Sequence, residues 1–173
     1  RHGEEELFRI YFYHCPPYTG TRRHPLTQEE VNFSTTQAYT TSNSLLHELS
    51  LRDHVALRLG ELSFDGWKIK GGATTDILRT GRKLTETDLS PDLKQKRTDI
   101  KIGLDIAWLA SKRLVDRIAL ATSDSDFVPA MKFARREGVQ VILLPMGSKA
   151  FKEDLRIHAD EVRDPPFPPT SLH

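Results

Sequence analysis

The stretch ATSDSDFVPAMKFARREGVQVILLP, residues 121–145, contains the pattern that decides the fold. It follows the apolar run RIAL, which predicts a short buried strand. The aspartates Asp124 and Asp126 come next, and apolar residues then recur at helical spacing over residues 127–136. Gly138 is typical of the residue that ends a helix, and the run VQVILL after it predicts a second strand. Strand, helix and strand with short connections indicate parallel strands.

Two further helices complete this half of the chain. The predicted elements are strands over residues 117–121 and 139–144 and helices over residues 98–112, 127–136 and 150–157. The apolar stripe of the first of these helices comprises Ile102, Ile106 and Leu109, broadened by Leu104 and Trp108. That stripe predicts that Trp108 packs in the core. The predicted fold class is α/β, with a mainly parallel sheet flanked by helices.

The N-terminal half is predicted to be less regular. Asp65 and Gly66 lie between short alternating runs and favour a tight β-hairpin, because glycine accepts a positive φ without strain. Residues 71–95 fit either a continuation of this hairpin or a loop. The remaining predicted elements are a strand over residues 7–13, a helix over residues 35–53 and a strand over residues 55–59.

Length and composition indicate one compact domain. The 173 residues are 38% hydrophobic and 28% charged, and the formal net charge is +1, which excludes a strongly basic, histone-like mode of nucleic-acid binding. We predict one domain over residues 1–163 and a proline-rich tail, extended or disordered, over residues 164–173. Cys15 is the only cysteine, and no apolar run reaches the roughly 20 residues that cross a bilayer. A cytoplasmic location is therefore expected.

The paired aspartates occupy a place where ligands bind in α/β sheets. Asp124 and Asp126 follow one strand, at the carboxyl edge of the predicted sheet. Asp99 lies three residues before Ile102, in line with the buried stripe of its helix, which directs its carboxylate toward the same edge. Each of the three also fits a role as a helix cap or a dipole partner. Converging carboxylates repel one another unless a divalent cation such as Mg²⁺ or Mn²⁺ offsets their charge.

Cations near these acids would suit an RNA substrate. Phosphates held next to an acidic site need positive side chains, although an ordinary solvated face explains any single lysine equally well. Tyr18 could stack on RNA bases, whereas core packing and base stacking are equally open for Trp67. The candidate RNA-binding cations are Lys68, Lys70, Lys96, Arg97 and Lys101.

Two segments carry a resemblance to a known family. KRTDIKIGLDIAWLA, followed by DRIALATSDSDFVPAMKFARREGVQVILLP, resembles the NYN domain, a family of PIN-like metal-dependent ribonucleases, and in particular its bacterial group. Together with RIYFYHCPPYTG and ALRLGELSFDGWKIK, the similarity covers most of residues 7–158. The resemblance implies a three-layer PIN-like fold with a central, mainly parallel sheet flanked by helices. The predicted β-hairpin would be a small addition to this fold. It also implies Mg²⁺ or Mn²⁺ as cofactor.

The resemblance also assigns site residues. Asp105 belongs to the family pattern and would serve the pocket or the structure. Ser125 would hydrogen-bond a ligand oxygen or cap the helix, and Ser123 stands where the family often has glycine. The residues assigned to catalysis and metal binding are Asp99, Asp124 and Asp126.

The predicted function is metal-dependent cleavage of RNA phosphodiester bonds by a metal-activated water. The alternative is a non-catalytic RNA-binding or regulatory scaffold with the same fold. The family usually opens with an apolar strand that ends in aspartate, glycine and asparagine, and this sequence begins after that place, so we expect the strand to be encoded upstream. The expected partner is single-stranded RNA, with no membrane, and a homodimer is an option because PIN-like relatives often pair.

Overall fold

The structure is a computed structural model that describes residues 5–147 and 152–165. Within these residues the chain is a mixed α/β protein with five α-helices and four small sheets. It divides into two compact units, Arg1–Thr98 (unit 1) and Asp99–His173 (unit 2). The single domain over residues 1–163 stays a prediction, and most of the predicted tail lies outside the described residues.

The described part of unit 1 contains three two-stranded sheets and two helices. Its elements are β1 (Ile10–His14), β2 (Thr21–Arg23), β3 (Glu30–Asn32), α1 (Gln37–Ser50), β4 (Val55–Leu59), β5 (Glu61–Ile69), α2 (Gly71–Thr80) and β6 (Leu89–Lys96). β1 pairs with β4 in parallel, whereas β2–β3 and β5–β6 are antiparallel. Three predicted elements are thus confirmed: the first strand and the helix with shifted ends, and the strand over residues 55–59 with the predicted ends.

The hairpin predicted at Asp65 and Gly66 is wrong. Both residues lie inside the nine-residue strand β5, whose pairing with β6 shifts register between Phe64 and Trp67. Gly66 has φ +110°, so its conformational freedom serves a bulge in a continuous strand and not a two-residue turn. Residues 71–80, left open between hairpin and loop, form the helix α2.

An ion-pair network fixes the loop between α2 and β6. The two terminal nitrogens of Arg82 donate to the carboxylate of Asp88 at 2.7 and 2.8 Å, and its Nε donates to Asp76 at 2.7 Å. The backbone N–H and the hydroxyl of Thr85 also donate to Asp88, which is buried. The Arg82 guanidinium, and then the Thr85 donors, hold the pKa of Asp88 well below its usual value.

This network predicts an acid-dependent contribution to stability. Because the pKa of Asp88 is lowered in the folded state, its contribution is complete above the unfolded pKa and is lost as the pH falls through the folded one. Asp88→Asn should therefore lower the unfolding temperature at pH 7, and the difference from wild type should shrink below about pH 4, where an unfolded aspartate titrates. Thermal unfolding followed by circular dichroism at pH 7 and at a pH below about 4 checks this. The prediction would be contradicted by an equal difference in unfolding temperature between wild type and variant at the two pH values.

The described part of unit 2 combines α-helices with one parallel sheet. Its elements are α3 (Thr98–Ser111, which starts at the last residue of unit 1), β7 (Arg117–Leu120), α4 (Val128–Arg136), β8 (Gln140–Leu143), α5 (Glu153–Ile157) and β9 (Glu161–Val162). The strands pair in the order β7–β8–β9, and both pairings are parallel. β9 was not predicted. The predicted helix over residues 150–157 is confirmed as α5 with a later start, because Lys152 has an extended backbone and is the N-cap residue of the helix; residues 150 and 151 lie outside the described residues.

The core of unit 2 lies between the sheet and helices that cover it. α4 begins with Pro129 in its first turn and ends before Gly138, whose φ of +89° confirms its predicted role after a helix. Helical spacing places three α4 residues in the core, and β8 is buried along most of its length. The buried cluster comprises Ile106, Ala110, Val128, Met131, Ala134, Val139, Val141, Leu143 and Leu155.

The prediction that Leu104 and Trp108 of α3 are buried is wrong. Leu104 is 63% exposed and Trp108 is 50% exposed, so neither broadens the buried stripe as predicted. Both lie two residues from Ile106, and two residues turn an α-helix by about 200°, which places them on the opposite face. Ile106 and Leu109 of the predicted stripe are buried.

The parallel strands do not form one sheet in the described residues. Parallel pairing is divided between β1–β4 in unit 1 and β7–β8–β9 in unit 2. The structure therefore supports a mixed α/β fold, and the predicted single central parallel sheet is not clearly seen.

Candidate functional site

The acidic turn lies at the carboxyl edge of the three-stranded sheet of unit 2. Leu120, Leu143 and Val162 end the three parallel strands. The backbone N–H of Leu144 donates to the Leu120 carbonyl at 2.9 Å, and that of Arg163 donates to the Leu143 carbonyl at 2.9 Å. The segments that follow the three strands therefore leave the sheet side by side, and Asp124 is on the first of them.

The turn after β7 is organised by Asp124 itself. Its backbone N–H donates to the Thr122 hydroxyl at 3.1 Å, and its Oδ1 accepts from the Asp126 N–H at 3.0 Å. Asp124 thus caps the single 3-10 turn Ser125–Phe127 that leads into α4. Phe127 is buried and anchors the turn to the core. The capping role is real, and it occupies only one oxygen of the carboxylate.

Asp126 and Asp99 are exposed carboxylates at the starts of helical segments. Within residues 5–147 and 152–165 neither side chain has a hydrogen-bond or ion-pair partner. The same described ranges contain no group of three or more His, Cys, Asp or Glu side chains placed to hold a metal ion. The structure therefore brings Asp124 and Asp126 together in one turn but does not gather them with Asp99 into a three-ligand cluster.

The other predicted pocket residues differ in exposure. Asp105 is only 7% exposed and is engaged in a contact, which is the environment of a structural carboxylate. Ser123 is exposed, next to the capping aspartate. Ser125 is half-buried, and its hydroxyl accepts a hydrogen bond from Nζ of Lys152 at 2.9 Å.

Two residues at this edge escaped the sequence analysis. Lys152 precedes α5 and is 27 positions from Ser125 in the chain, so no local pattern connects the two. Asp164 follows β9, and its Oδ1 accepts from the backbone N–H of Gly147 at 3.0 Å. The signal that could have found Asp164 is its position after a strand, but β9 is only two residues long and gave no pattern.

Most of the predicted RNA-binding cations are already engaged. Lys96 is exposed, whereas Lys101 is half-buried and has a partner. The other three make contacts inside unit 1: Lys68 with Asp92 (2.9 Å), Lys70 with the Thr87 carbonyl (2.7 Å) and Arg97 with Glu61. A role of these five side chains in RNA binding stays a prediction.

A comparison with known protein families identifies the domain that contains this acidic turn. The model of the NYN domain family matches residues 70–165, which includes the acidic turn and more than half of the chain. The chain belongs to the NYN domain family. This confirms the resemblance, is consistent with a PIN-like fold, and indicates a nuclease-like function for the NYN domain.

One solved structure is similar to this NYN domain over much of its length. It is the crystal structure of a protein of unknown function from Vibrio parahaemolyticus RIMD 2210633, with 18% sequence identity and a TM-score of 0.40. The similarity covers 75% of this chain and 61% of that one, so the chain spans less than two thirds of that protein. No curated protein matches the sequence significantly. None of these comparisons supports a homodimer. Among the described residues, no helix combines the length and apolarity needed to cross a bilayer.

Proposed function

We propose that this NYN domain is a ribonuclease that depends on Mg²⁺ or Mn²⁺, with Asp124 and Asp126 as two metal ligands and Asp99 as a third. The observation that carries the proposal is the pair of exposed carboxylates in one turn at the carboxyl edge of a parallel sheet. Ligand sites of α/β proteins lie beyond this edge.

The chemistry of these side chains fits a hard divalent cation. Two carboxylates two residues apart repel each other, and no cationic side chain among the described residues pairs with either of them. Oxygen donors of this kind are the ligands that Mg²⁺ and Mn²⁺ prefer. When bound, such an ion lowers the pKa of a water molecule and offsets the charge of the phosphodiester.

The chain itself fixes the orientation of the site. The hydrogen bond from the Asp126 N–H holds Oδ1 of Asp124, which leaves the second oxygen of that carboxylate to bind a ligand. Lys152, held on the Ser125 hydroxyl at 2.9 Å, supplies positive charge to this otherwise acidic turn. An ammonium in that place would donate to a phosphate oxygen of bound RNA.

Metal removal tests the proposed activity. The full chain should cleave end-labelled single-stranded RNA with Mn²⁺ and lose this activity with excess chelator. Mn²⁺ should also raise the unfolding temperature, since a ligand at 100 times its Kd stabilises the folded state by about 2.7 kcal/mol. Gel electrophoresis of the RNA and thermal unfolding of the protein measure the two effects. Equal cleavage with Mn²⁺ and with chelator would contradict the proposal.

A non-catalytic RNA-binding scaffold is the second candidate. It is favoured by the finding that the described residues contain no cluster of three metal-ligating side chains. This candidate predicts that RNA binds but is not cleaved with either metal, and that Mn²⁺ leaves the unfolding temperature unchanged.

A further inference from the structure

An aromatic cluster in unit 1 supports one exposed arginine. The rings of Tyr18 and Phe64 lie nearly parallel, with centroids 5.9 Å apart and an angle of 23° between planes. Phe33 is buried beside them and packs edge-on against Tyr18 at 5.3 Å. Trp67 packs edge-on against Phe64 at 6.0 Å and donates from Nε1 to a backbone carbonyl of β2 at 3.2 Å.

Arg22, on β2, covers this pair of rings. Its guanidinium carbon lies 5.4 Å from the centroid of Tyr18 and 5.2 Å from that of Phe64, which is cation–π distance to both. Its guanidinium donates a hydrogen bond to the neighbouring Thr21 carbonyl at 2.9 Å, and it has no carboxylate partner in the described part of the chain. Its neighbour Arg23, in contrast, is within 3.7 Å of Glu30.

Gly20 makes room for this arrangement. A Cβ at residue 20 would lie 2.5 Å from ring carbon Cζ of Tyr18, closer than atoms can approach. The phenol ring therefore lies across a backbone that only glycine leaves open. An added methyl group would displace the far end of a flexible side chain, so the ring would move while the backbone could stay.

The outer face of Arg22 has the chemistry of a nucleic-acid contact. A planar guanidinium placed over two aromatic rings offers a surface on which an RNA base can stack, and its N–H groups can reach a phosphate. The bases of single strands can adopt such a stacked position, whereas those of a duplex are stacked on one another. Arg22 also carries a charge that no carboxylate of the described residues offsets, unlike the predicted cations Lys68 and Arg97.

We propose that Arg22, supported by Tyr18 and Phe64, stacks on a base of single-stranded RNA and forms a binding surface on unit 1. The choice of RNA as ligand rests on the proposed function. The surface itself needs no metal, so binding can be measured apart from cleavage.

The test compares two arginine-to-lysine substitutions in the full chain. Fluorescence anisotropy with chelator present measures the Kd for a labelled oligouridine of about 12 nucleotides, within the usual site size of single-strand binders. Arg22→Lys keeps the charge but loses the planar stack and should raise Kd about tenfold, with an unchanged dependence of Kd on salt. The matched control Arg23→Lys should stay within about twofold of wild type, because lysine keeps the positive charge and the side chain of Arg23 is directed to Glu30.

Gly20→Ala provides a second variant that leaves every charge in place. It should displace the Tyr18 ring and weaken binding in the same direction as Arg22→Lys, with the unfolding temperature showing that unit 1 remains folded. The proposal is overturned if the wild type does not bind the oligouridine, if Arg22→Lys binds like the wild type, or if duplex RNA binds as tightly. If RNA binds through Arg22 but is never cleaved with Mn²⁺, the proposed ribonuclease activity is contradicted and the proposed binding surface is supported. If RNA is cleaved with Mn²⁺ but Arg22→Lys has no effect on Kd, the binding surface is contradicted and the ribonuclease activity is supported.

Discussion

Asp124→Asn is expected to lower RNA cleavage by about 100-fold or more while the unfolding temperature stays close to that of the wild type. Asparagine keeps an oxygen that accepts from the Asp126 N–H, so the cap of the 3-10 turn survives. The negative charge that would hold a divalent cation is lost. A metal supplies several kcal/mol of charge stabilisation in such reactions, and about 3 kcal/mol corresponds to about 100-fold in rate.

Asp124→Ala separates the two roles of this side chain. It removes both the charge and the cap, so it should lose cleavage to the same extent and also lower the free energy of unfolding by about 1 kcal/mol. Asp116→Asn is the matched control, because Asp116 is an exposed aspartate just before the other end of β7. It should cut RNA at the wild-type rate. Initial cleavage rates with Mn²⁺ and urea unfolding curves measure the two effects.

A different result would show that Asp124 serves only as a helix cap. In that case Asp124→Asn would cut RNA like the wild type, and Asp124→Ala would lose stability alone. The comparison therefore tests the metal role without depending on a variant that unfolds.

Local signals were sufficient to predict the elements around the acidic turn. β7 and β8 lie within the predicted strands over residues 117–121 and 139–144, and α4 lies within the predicted helix over residues 127–136. Each boundary has a local physical cause, such as Gly138 with φ +89° after the helix. The position of Asp124 at a carboxyl edge followed from these elements alone.

Expectations that depended on distant parts of the chain were less successful. A glycine with positive φ suits a bulge as well as a turn, and only the pairing of β5 with β6 decides that Gly66 belongs to a bulge. Trp108 carries an apolar ring, but the face of α3 that packs on the sheet excludes it. Lys152 and Asp164 reach the site through tertiary packing, which no spacing in the sequence encodes. The set Asp99, Asp124 and Asp126 stays a prediction for the same reason.

Gly60→Ala is expected to destabilise unit 1 by about 1–3 kcal/mol, which is the usual cost of overpacking a well-packed site. Gly60 is buried where β4 gives way to β5, and three groups close around it. An added Cβ would lie 2.5 Å from the Thr98 hydroxyl, 2.7 Å from the Lys96 carbonyl and 2.9 Å from the buried Cys15 sulfur. The two side chains could turn away, but the Lys96 carbonyl belongs to the backbone of β6 and could move only with its strand.

Gly72→Ala is the matched control for this substitution. Gly72 lies in α2, where an added Cβ would meet nothing within 4 Å. Alanine favours a helix over glycine by up to about 1 kcal/mol, so this variant should be neutral or more stable than the wild type. Urea unfolding curves of both variants measure the difference. The same added methyl group is expected to lower the free energy of unfolding at residue 60 and to leave it unchanged or raise it at residue 72. The reason is that neighbouring atoms fill the first site, whereas the second is open. A Gly60→Ala variant as stable as wild type would show that β6 can yield to a methyl group at no measurable cost.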